Sequence, residues 1–315
     1  MGNLAWWIDP IAAMRWMPHT IRRQPVRPKA KTTHPNMGCH PARYLRQRDD
    51  YCSQVIASLK KWGHFVERQR KVVFLGALSA IAEATARLYA KEGAKMVLAG
   101  RDASRLAQVA ADLTARGASQ CSTHAIDLTD PDAVGSLNGM IASLGGSVDA
   151  IFLFYGLLGD QQTAEIDPGH ASKILTVNFT SASAWCLAGA NQLEQQNHGV
   201  LVAVSSVAGD RGRQSNYVYG AAKAGLTTLV EGIAHRLARG KARASVVKLG
   251  FVDTPMTAHI PKGGPLWAQA DQVAARIKTV ADKGRAPVVY IPSFWRPIMF
   301  VVRNVPAAIF HKTKL

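Results

Sequence analysis

From residue 71 onward, short apolar runs alternate with longer segments of helical periodicity, and this alternation limits the fold more than any other feature. The connections between the segments are short. A chain with this pattern forms a parallel sheet with helices on both faces. We therefore predict an α/β fold built on a doubly wound parallel sheet. The predicted strands are 72–75, 95–99, 121–126, 150–154, 200–204, 244–249 and 288–291, and the predicted helices are 80–92, 103–115, 131–143, 168–195, one through Tyr219 to about 238, and 267–282.

The chain divides into three parts by composition. Residues 67–292 hold the alternating pattern and are predicted to form one domain, followed by an apolar and basic extension at 293–315. Residues 1–66 contain recurrent prolines among basic residues and lack apolar periodicity over most of their length. The first 70 residues carry 13 Lys and Arg against 4 Asp and Glu, within a formal net charge of +17 for the whole chain. We interpret residues 1–66 as a disordered basic arm, a targeting segment or a stretch included by a misassigned start.

The composition disfavours several classes of protein. The four cysteines show no paired spacing, which favours a reducing, cytoplasmic location without disulfides. His34, Cys39 and His40 lie close together, but neither a second cysteine pair nor a His-x-x-x-His accompanies them, so no metal site is expected. No run of eighteen apolar residues occurs, which predicts no membrane-spanning helix. We expect no nucleic-acid partner.

The pattern that indicates chemistry lies near the middle of the chain. Tyr219 and Lys223 are four residues apart in a predicted helix, so they lie on one face, one turn from each other. An ammonium placed there stabilises a phenolate and lowers the pKa of the tyrosine, which is otherwise about 10. Ser206 stands thirteen residues before the tyrosine, just after a predicted strand. A strand that leads through a serine into a helix with this pair predicts proton-transfer chemistry, and hence an enzyme.

Ser206, Tyr219 and Lys223 have the order and spacing found in the short-chain dehydrogenase/reductase family, which the chain resembles over residues 70–315. The resemblance implies a Rossmann sheet with strand order 3-2-1-4-5-6-7 and right-handed crossovers. It also implies a nicotinamide cofactor. Asn178 matches the asparagine that completes the catalytic tetrad of the family. The catalytic residues implied by the resemblance are therefore Tyr219, Lys223, Ser206 and Asn178.

The resemblance also indicates where the cofactor binds. The first turn keeps Gly76 of the family's glycine loop, but Ala80 and Ala82 take the places of two further glycines. No acid stands at the end of the second strand and Arg101 follows it, which favours NADP(H) over NAD(H). Asp127 matches an aspartate near the adenine, and it is equally suited to cap the next helix. The residues assigned to the cofactor by resemblance are Gly76, Ser79, Ile81, Arg101, Asp127, Gly156, Tyr219, Lys223, Val252 and Thr254.

Three segments carry a narrower resemblance. Residues 154–160 read Phe-Tyr-Gly-Leu-Leu-Gly-Asp where the family usually has Asn-Asn-Ala-Gly. Together with residues 290–296 and 305–310, they look like the decaprenylphosphoryl-2-keto-erythro-pentose reductases. This resemblance implies reduction of a ketone on a small or lipid-linked sugar to give an arabinose, with a flavin oxidase as partner. The alternatives are a general ketone or alcohol oxidoreductase acting on steroid or acyl substrates, and a non-catalytic cofactor-binding scaffold.

The C-terminal residues 294–303 and 306–310 combine aromatic and aliphatic side chains with basic ones. Their apolar stretches are too short to span a bilayer, and the composition is typical of a segment at a membrane surface. We predict either peripheral binding at the inner face of the membrane or a cover for a neighbouring subunit or the substrate cleft. A homodimer or homotetramer is expected.

Overall fold

The computed structural model of the protein describes residues 69–313. Seven strands form one sheet, and every neighbouring pair in that sheet is parallel. Two further short strands pair with each other, also in parallel. In chain order the described strands are β1 (Lys71–Leu75), β2 (Lys95–Gly100), β3 (Gln120–Ala125), β4 (Ala150–Leu153), β5 (Val200–Ser206), β6 (Arg243–Leu249), β7 (Phe251–Asp253), β8 (Trp267–Gln269) and β9 (Val288–Ile291).

The strand order in the large sheet is β3-β2-β1-β4-β5-β6-β9. Because β7 and β8 lie outside this sheet, β9 is its seventh strand along the chain, and the predicted order 3-2-1-4-5-6-7 is confirmed. The order reverses between β1 and β4, and a crevice opens at such a point beyond the carboxyl ends of the strands. The fold is the predicted Rossmann-like, doubly wound sheet.

Alternate residues of each strand feed two cores, one on each face of the sheet. In β1, Val72 and Phe74 belong to one core, whereas Val73 and Leu75 belong to the other, because successive side chains of a strand point to opposite faces. Helices cover both faces. The described helices are α1 (Ala80–Ala90), α2 (Ala103–Ala115), α3 (Leu137–Ser143), α4 (Gln161–Ile166), α5 (Pro168–Leu175), α6 (Ser181–Gln196), α7 (Tyr217–Leu237), α8 (Ala270–Lys283), α9 (Trp295–Asn304) and α10 (Ala307–Phe310).

Three predicted helices differ from the structure in detail. The predicted helix 168–195 is divided into α5 and α6 by a π-helical turn, Thr176–Thr180. The predicted helix 131–143 begins with a 3-10 turn, Pro131–Ser136, and becomes α-helical only in α3. The predicted helix 267–282 is preceded by β8, which takes its first three residues. A strand of three residues is too short to show an alternating pattern, so the sequence does not reveal it.

The C-terminal helix α9 packs against the turn that follows β5. Trp295 and Met299 of this helix form a small core with Val207. The Trp295 ring occupies the space that a side chain on Gly250 would need. Arg211 donates hydrogen bonds of 2.6 Å to two carbonyl oxygens at and just beyond the end of the helix. The C-terminal segment is thus packed next to the strand ends that carry the predicted site.

A buried ion pair fixes the same turn. The carboxylate of Asp210, at the end of the turn, pairs with Lys248 of β6, and the two side chains are 1% and 7% exposed. Tyr290 of β9 donates a 2.8 Å hydrogen bond to the same carboxylate. Removing one partner of a buried pair leaves an uncompensated charge and costs about 3–5 kcal/mol. The turn after β5 is therefore tied to two neighbouring strands.

The N-terminal arm, residues 1–66, lies outside the described residues, as does the cluster of His34, Cys39 and His40. The division of the chain at residues 67 and 292 stays a prediction. Within residues 69–313, none of the helices has the length and apolar character needed to cross a bilayer.

Candidate active site

A cleft of about 1620 Å³ opens at the carboxyl ends of the strands. It is lined by the segments that follow β1, β2, β3, β4, β5 and β6, which meet at one edge because the strands are parallel. Every residue predicted for the site lies in its wall except Asn178, which is packed directly behind the wall. The predicted residues in the wall are Gly76, Ser79, Ile81, Arg101, Asp127, Gly156, Ser206, Tyr219, Lys223, Val252 and Thr254.

The turn after β1 is shaped to accept a group close to the backbone. Gly76 has a φ of +82°, and a Cβ at this position would lie 2.7 Å from the backbone nitrogen and the Cβ of Tyr155, so only glycine fits. Ser79 is the N-cap of α1, and its hydroxyl makes no capping hydrogen bond. The amide groups of a helix N-terminus bind phosphate well. This cradle therefore fits the pyrophosphate of a dinucleotide.

The two alanines that replace family glycines differ in position. Ala82 is fully buried in the core between α1 and the sheet, whereas Ala80 lies in the wall of the cleft. The methyl group of Ala82 thus affects the packing of helix on sheet and not the space for a ligand. Only Ala80 narrows the cleft.

The segment after β2 carries the charges predicted to read the ribose. Arg101 is exposed in the cleft wall. Asp102 caps α2 by accepting a 3.0 Å hydrogen bond from the amide of Arg105. Asp127 accepts hydrogen bonds from the amide and hydroxyl of Thr129, and these bonds, helped by the charge of Arg101, lower the pKa of its carboxyl. Asp127 is not a helix cap, because Asp130 caps the turn that follows.

Tyr219 lies in the first turn of α7 and lines the same cleft as Ser206, whose side chain interacts with the phenol. Burial raises the pKa of Tyr219 to about 12, and the hydrogen bond with Ser206 opposes this rise only in part. The structure therefore corrects the predicted lowering of this pKa in the cofactor-free protein. A phenol that keeps its proton at neutral pH is in the form that a general acid needs.

Lys223 lies one turn after Tyr219 and is only 3% exposed. Its Nζ donates a 3.2 Å hydrogen bond to the carbonyl oxygen of Val204 and lies 5.7 Å from the centre of the Tyr219 ring. Among residues 69–313 no carboxylate forms an ion pair with it. Burial lowers the pKa of this ammonium to about 8. The lysine is thus a cation held in a poorly solvated place.

Asn178 lies in the π-helical turn and is fully buried. Its Nδ2 donates to the carbonyl oxygens of Leu157 and Ile174, at 2.6 and 2.9 Å, and its Oδ1 accepts from the amide of Leu157 at 3.1 Å. It therefore joins the π turn to the loop after β4. A Cβ on Gly156 of this loop would lie 2.7 Å from Asn178 Oδ1, so the loop can approach this amide only with glycine here. The same Cβ would lie 3.4 Å from Lys223 Nζ, which is an ordinary contact.

The segment after β6 forms the opposite wall. Val252 is 4% exposed in β7. Thr254 follows and interacts with Thr257 in a reciprocal capping arrangement, and the Thr257 hydroxyl donates a 2.7 Å hydrogen bond to the carbonyl oxygen of Val252. These contacts hold Val252 and Thr254 at the cleft, where the resemblance predicted them.

Several residues of the wall were not singled out from the sequence. Arg213 and Asn216 lie between Ser206 and Tyr219, and their side chains reach the cleft. Tyr155 lies under Gly76, and its hydroxyl is 3.1 Å from the hydroxyl of Ser181. The position of Arg213 and Asn216 between two site residues is the one sequence signal that could have identified them.

Comparisons with known proteins agree with this geometry. The family model described as short chain dehydrogenase matches residues 70–264. An uncharacterized oxidoreductase of Streptomyces coelicolor is 37% identical over 247 residues, which cover 77% of this chain and 95% of that protein. An uncharacterized oxidoreductase of Mycobacterium tuberculosis is 36% identical over 241 residues, which cover 76% and 96%.

Solved structures show the same fold. A short chain dehydrogenase/reductase family protein superposes with a TM-score of 0.61 at 27% identity, covering 70% of this chain and 94% of that one. A levodione reductase superposes with a TM-score of 0.65 at 22% identity, covering 72% and 98%, and supports the fold alone. The chain belongs to the short-chain dehydrogenase/reductase family and is an NAD(P)-dependent oxidoreductase.

The burial of Lys223 leads to a prediction on stability. At pH 7 the lysine is protonated in both states, so the folded protein bears the full cost of burying the charge. Between about pH 8 and pH 10.5 the unfolded chain keeps a proton that the folded protein has released, so stability rises with pH in this window. Lys223→Met should therefore raise the free energy of unfolding at pH 7 by about 1–3 kcal/mol, a gain that shrinks towards pH 10.

Urea denaturation of the cofactor-free protein at pH 7 and pH 9.5 measures this difference. Lys91→Met, at an exposed lysine just after α1, is the matched control and should show no such dependence on pH. A Lys223→Met protein less stable than the parent at both pH values would contradict the prediction.

Proposed function

We propose that the protein reduces a ketone with a nicotinamide cofactor through Ser206, Tyr219 and Lys223. The observation that carries the proposal is that Ser206, Tyr219 and Lys223 line the same large cleft, with Lys223 Nζ 5.7 Å from the centre of the Tyr219 ring. Ser206 would donate a hydrogen bond to the ketone oxygen and hold it near the phenol. Tyr219 would then donate its proton to the developing alkoxide.

The cleft has a place for each end of a dinucleotide. Gly76, Ser79 and the N-terminus of α1 would hold the pyrophosphate, and Val252 with Thr254 would line the nicotinamide. The bound nicotinamide supplies the hydride. Lys223 would bind the adjacent ribose hydroxyls, and its lowered pKa of about 8 lets it release and regain a proton near neutral pH. Asn178 would position the water that returns the proton to the site.

The substrate we propose is a keto-sugar, in the first instance a polyprenyl-phosphoryl 2-keto-pentose that is reduced to the arabinose. The resemblance of residues 154–160 supports this proposal. A flavin oxidase would supply the ketone, and the protein would act as a homodimer or homotetramer in cell-envelope polysaccharide synthesis. A general reductase of steroid or acyl ketones is the alternative.

Replacing the proposed acid tests the mechanism. Tyr219→Phe should lower ketone reduction by about 100- to 10,000-fold, because the general acid is lost while the ring stays in place. Cofactor oxidation is followed with a polyprenyl-phosphoryl 2-keto-pentose and, separately, with a steroid ketone. The control is Tyr217→Phe, at an exposed tyrosine two residues earlier, which should retain parental turnover.

Near-parental turnover by Tyr219→Phe would refute the assignment of the acid. Turnover of the steroid ketone in preference to the keto-pentose would refute the proposed substrate and leave the reaction type intact.

We propose NADP(H) as the cofactor in preference to NAD(H), because Arg101 is exposed in the cleft wall with no acid at the end of β2.

Arg101→Ala should weaken binding of NADPH by about 10- to 100-fold and leave binding of NADH within about twofold, the effect expected for a lost charge-assisted contact with the 2′-phosphate. Titration by cofactor fluorescence measures both. Arg105→Ala, an exposed arginine on the next helix, is the control. An equal loss for both cofactors would show that Arg101 does not read the phosphate.

We also propose that the C-terminal segment rests on the cytoplasmic face of a membrane. Phe300, Val301 and Ile309 are 70%, 62% and 59% exposed, and Arg296 and Arg303 lie beside them, which is the composition that binds an anionic lipid surface. A lipid-linked substrate would reach the cleft at the same surface.

Flotation with vesicles of anionic phospholipid at low salt tests this proposal without removing Trp295 from the core. The full chain should float, and a variant with serine at 300, 301 and 309 should remain at the bottom of the gradient. Ile166→Ser, at an 86% exposed residue of α4, is the matched control and should float. If the triple variant floats like the parent, the C-terminal segment does not bind the membrane.

A further inference from the structure

Two buried polar atoms between Ser206 and Tyr219 have no hydrogen-bond partner within the described part of the chain. One is Nε of Arg213, whose Nη2 donates a 3.1 Å hydrogen bond to the carbonyl oxygen of Val207. The other is Oδ1 of Asn216. Buried polar groups are nearly always paired, and each exception needs a partner such as a water or a ligand. Both residues lie in the wall of the cleft, so a ligand bound there would lie against their side chains.

Arg213 lies on the substrate side of the cleft. Its guanidinium donates a hydrogen bond to the carbonyl oxygen of Val207, the residue directly after Ser206, so it lies on the same part of the cleft wall as Ser206. Arg101, proposed to read the cofactor phosphate, follows β2. Strands β2 and β5 are separated by β1 and β4, which is three strand spacings or about 14 Å. The two arginines therefore serve different ends of the cleft.

Among the residues that the structure describes, no carboxylate forms an ion pair with Arg213. Asp210 is the acid whose charge acts on it, but that carboxylate is already paired with Lys248 and accepts the hydroxyl of Tyr290. Asp160, on the other rim, caps α4 through the amide of Thr163 at 2.7 Å. Burial lowers the pKa of the Arg213 guanidinium, as expected for a cation that lacks a full counter-charge.

We infer that Arg213 binds an anionic group, a phosphate or a carboxylate, carried by the ketone substrate, and that Asn216 hydrogen-bonds a neighbouring hydroxyl of the same molecule. The inference rests on the proposed function and adds the class of substrate. A guanidinium with a free Nε–H offers a planar fork of donors, which matches the two oxygens of either anion. The anion would lie next to the ketone because Arg213 lies next to Ser206.

Two matched pairs of ketones test the inference. Dihydroxyacetone phosphate is compared with dihydroxyacetone, and 4-oxocyclohexanecarboxylate with its methyl ester. In Arg213→Gln, kcat/KM for a charged ketone should fall about 10- to 100-fold, mainly through KM, while the neutral member of each pair stays within about twofold. Arg213→Lys should recover part of the loss, since it keeps the charge without the fork. Loss confined to one pair identifies that anion as the one recognised.

Calorimetric titration of the charged ketones into the full-length protein measures anion binding whether or not the ketones are reduced. It therefore tests the inference independently of the proposed function. If no ketone is reduced, the proposed function fails, and loss of anion binding in Arg213→Gln still supports the site. Arg285→Gln removes an exposed arginine just before β9, at the opposite edge of the sheet, and should leave binding unchanged. Equal losses for charged and neutral ketones would show that Arg213 only positions Ser206. That result, or anion binding unaffected by Arg213→Gln, would overturn the inference.

Discussion

The burial of the Lys223 ammonium is the constraint on which the rest of the site depends. This cation contacts one carbonyl oxygen, that of Val204, and lies in a place that water hardly reaches. The loop after β4 passes close to it at Gly156, where a Cβ would lie 3.4 Å from the ammonium and 2.7 Å from Asn178 Oδ1. Asn178 holds the same loop by two hydrogen bonds to the backbone of Leu157. Burying a charge without a counter-charge lowers the stability of the folded protein. Proteins retain such a buried charge where the chemistry of a site requires it.

Much of the fold could be predicted from the sequence because its strands are buried on both faces. All four residues of β4 are buried, and such a strand leaves a continuous apolar run that is easy to recognise. The π turn Thr176–Thr180 could not be predicted in the same way, since apolar periodicity continues through α5 and α6. The turn is joined by Asn178 to Leu157, 21 residues earlier in the chain, and a contact of that kind is not visible in local periodicity.

In the site, too, the features set by local sequence could be predicted, and those set by contacts between distant residues could not. Spacing alone placed Ser206, Tyr219 and Lys223 together, because the ends of parallel strands meet at one edge. The direction of the Tyr219 pKa was predicted wrongly, since burial depends on the packing around the phenol and not on the lysine four residues away. Arg213 was missed because an arginine in a polar loop is usually solvated. Its Nε is buried in a turn that the Asp210–Lys248 ion pair holds in place.

The wall of the cleft at Gly76 and the wall at Arg213 and Asn216 restrict the ligands that can bind in different ways. At Gly76 the backbone of the neighbouring loop comes so close that no side chain fits, and such a wall accepts one shape of ligand. At Arg213 and Asn216 the wall instead presents polar side-chain atoms that lack a partner among residues 69–313. On the functions proposed for these residues, changes at Gly76 would act on cofactor binding. Changes at Arg213 and Asn216 would act on which ketone is held against Ser206.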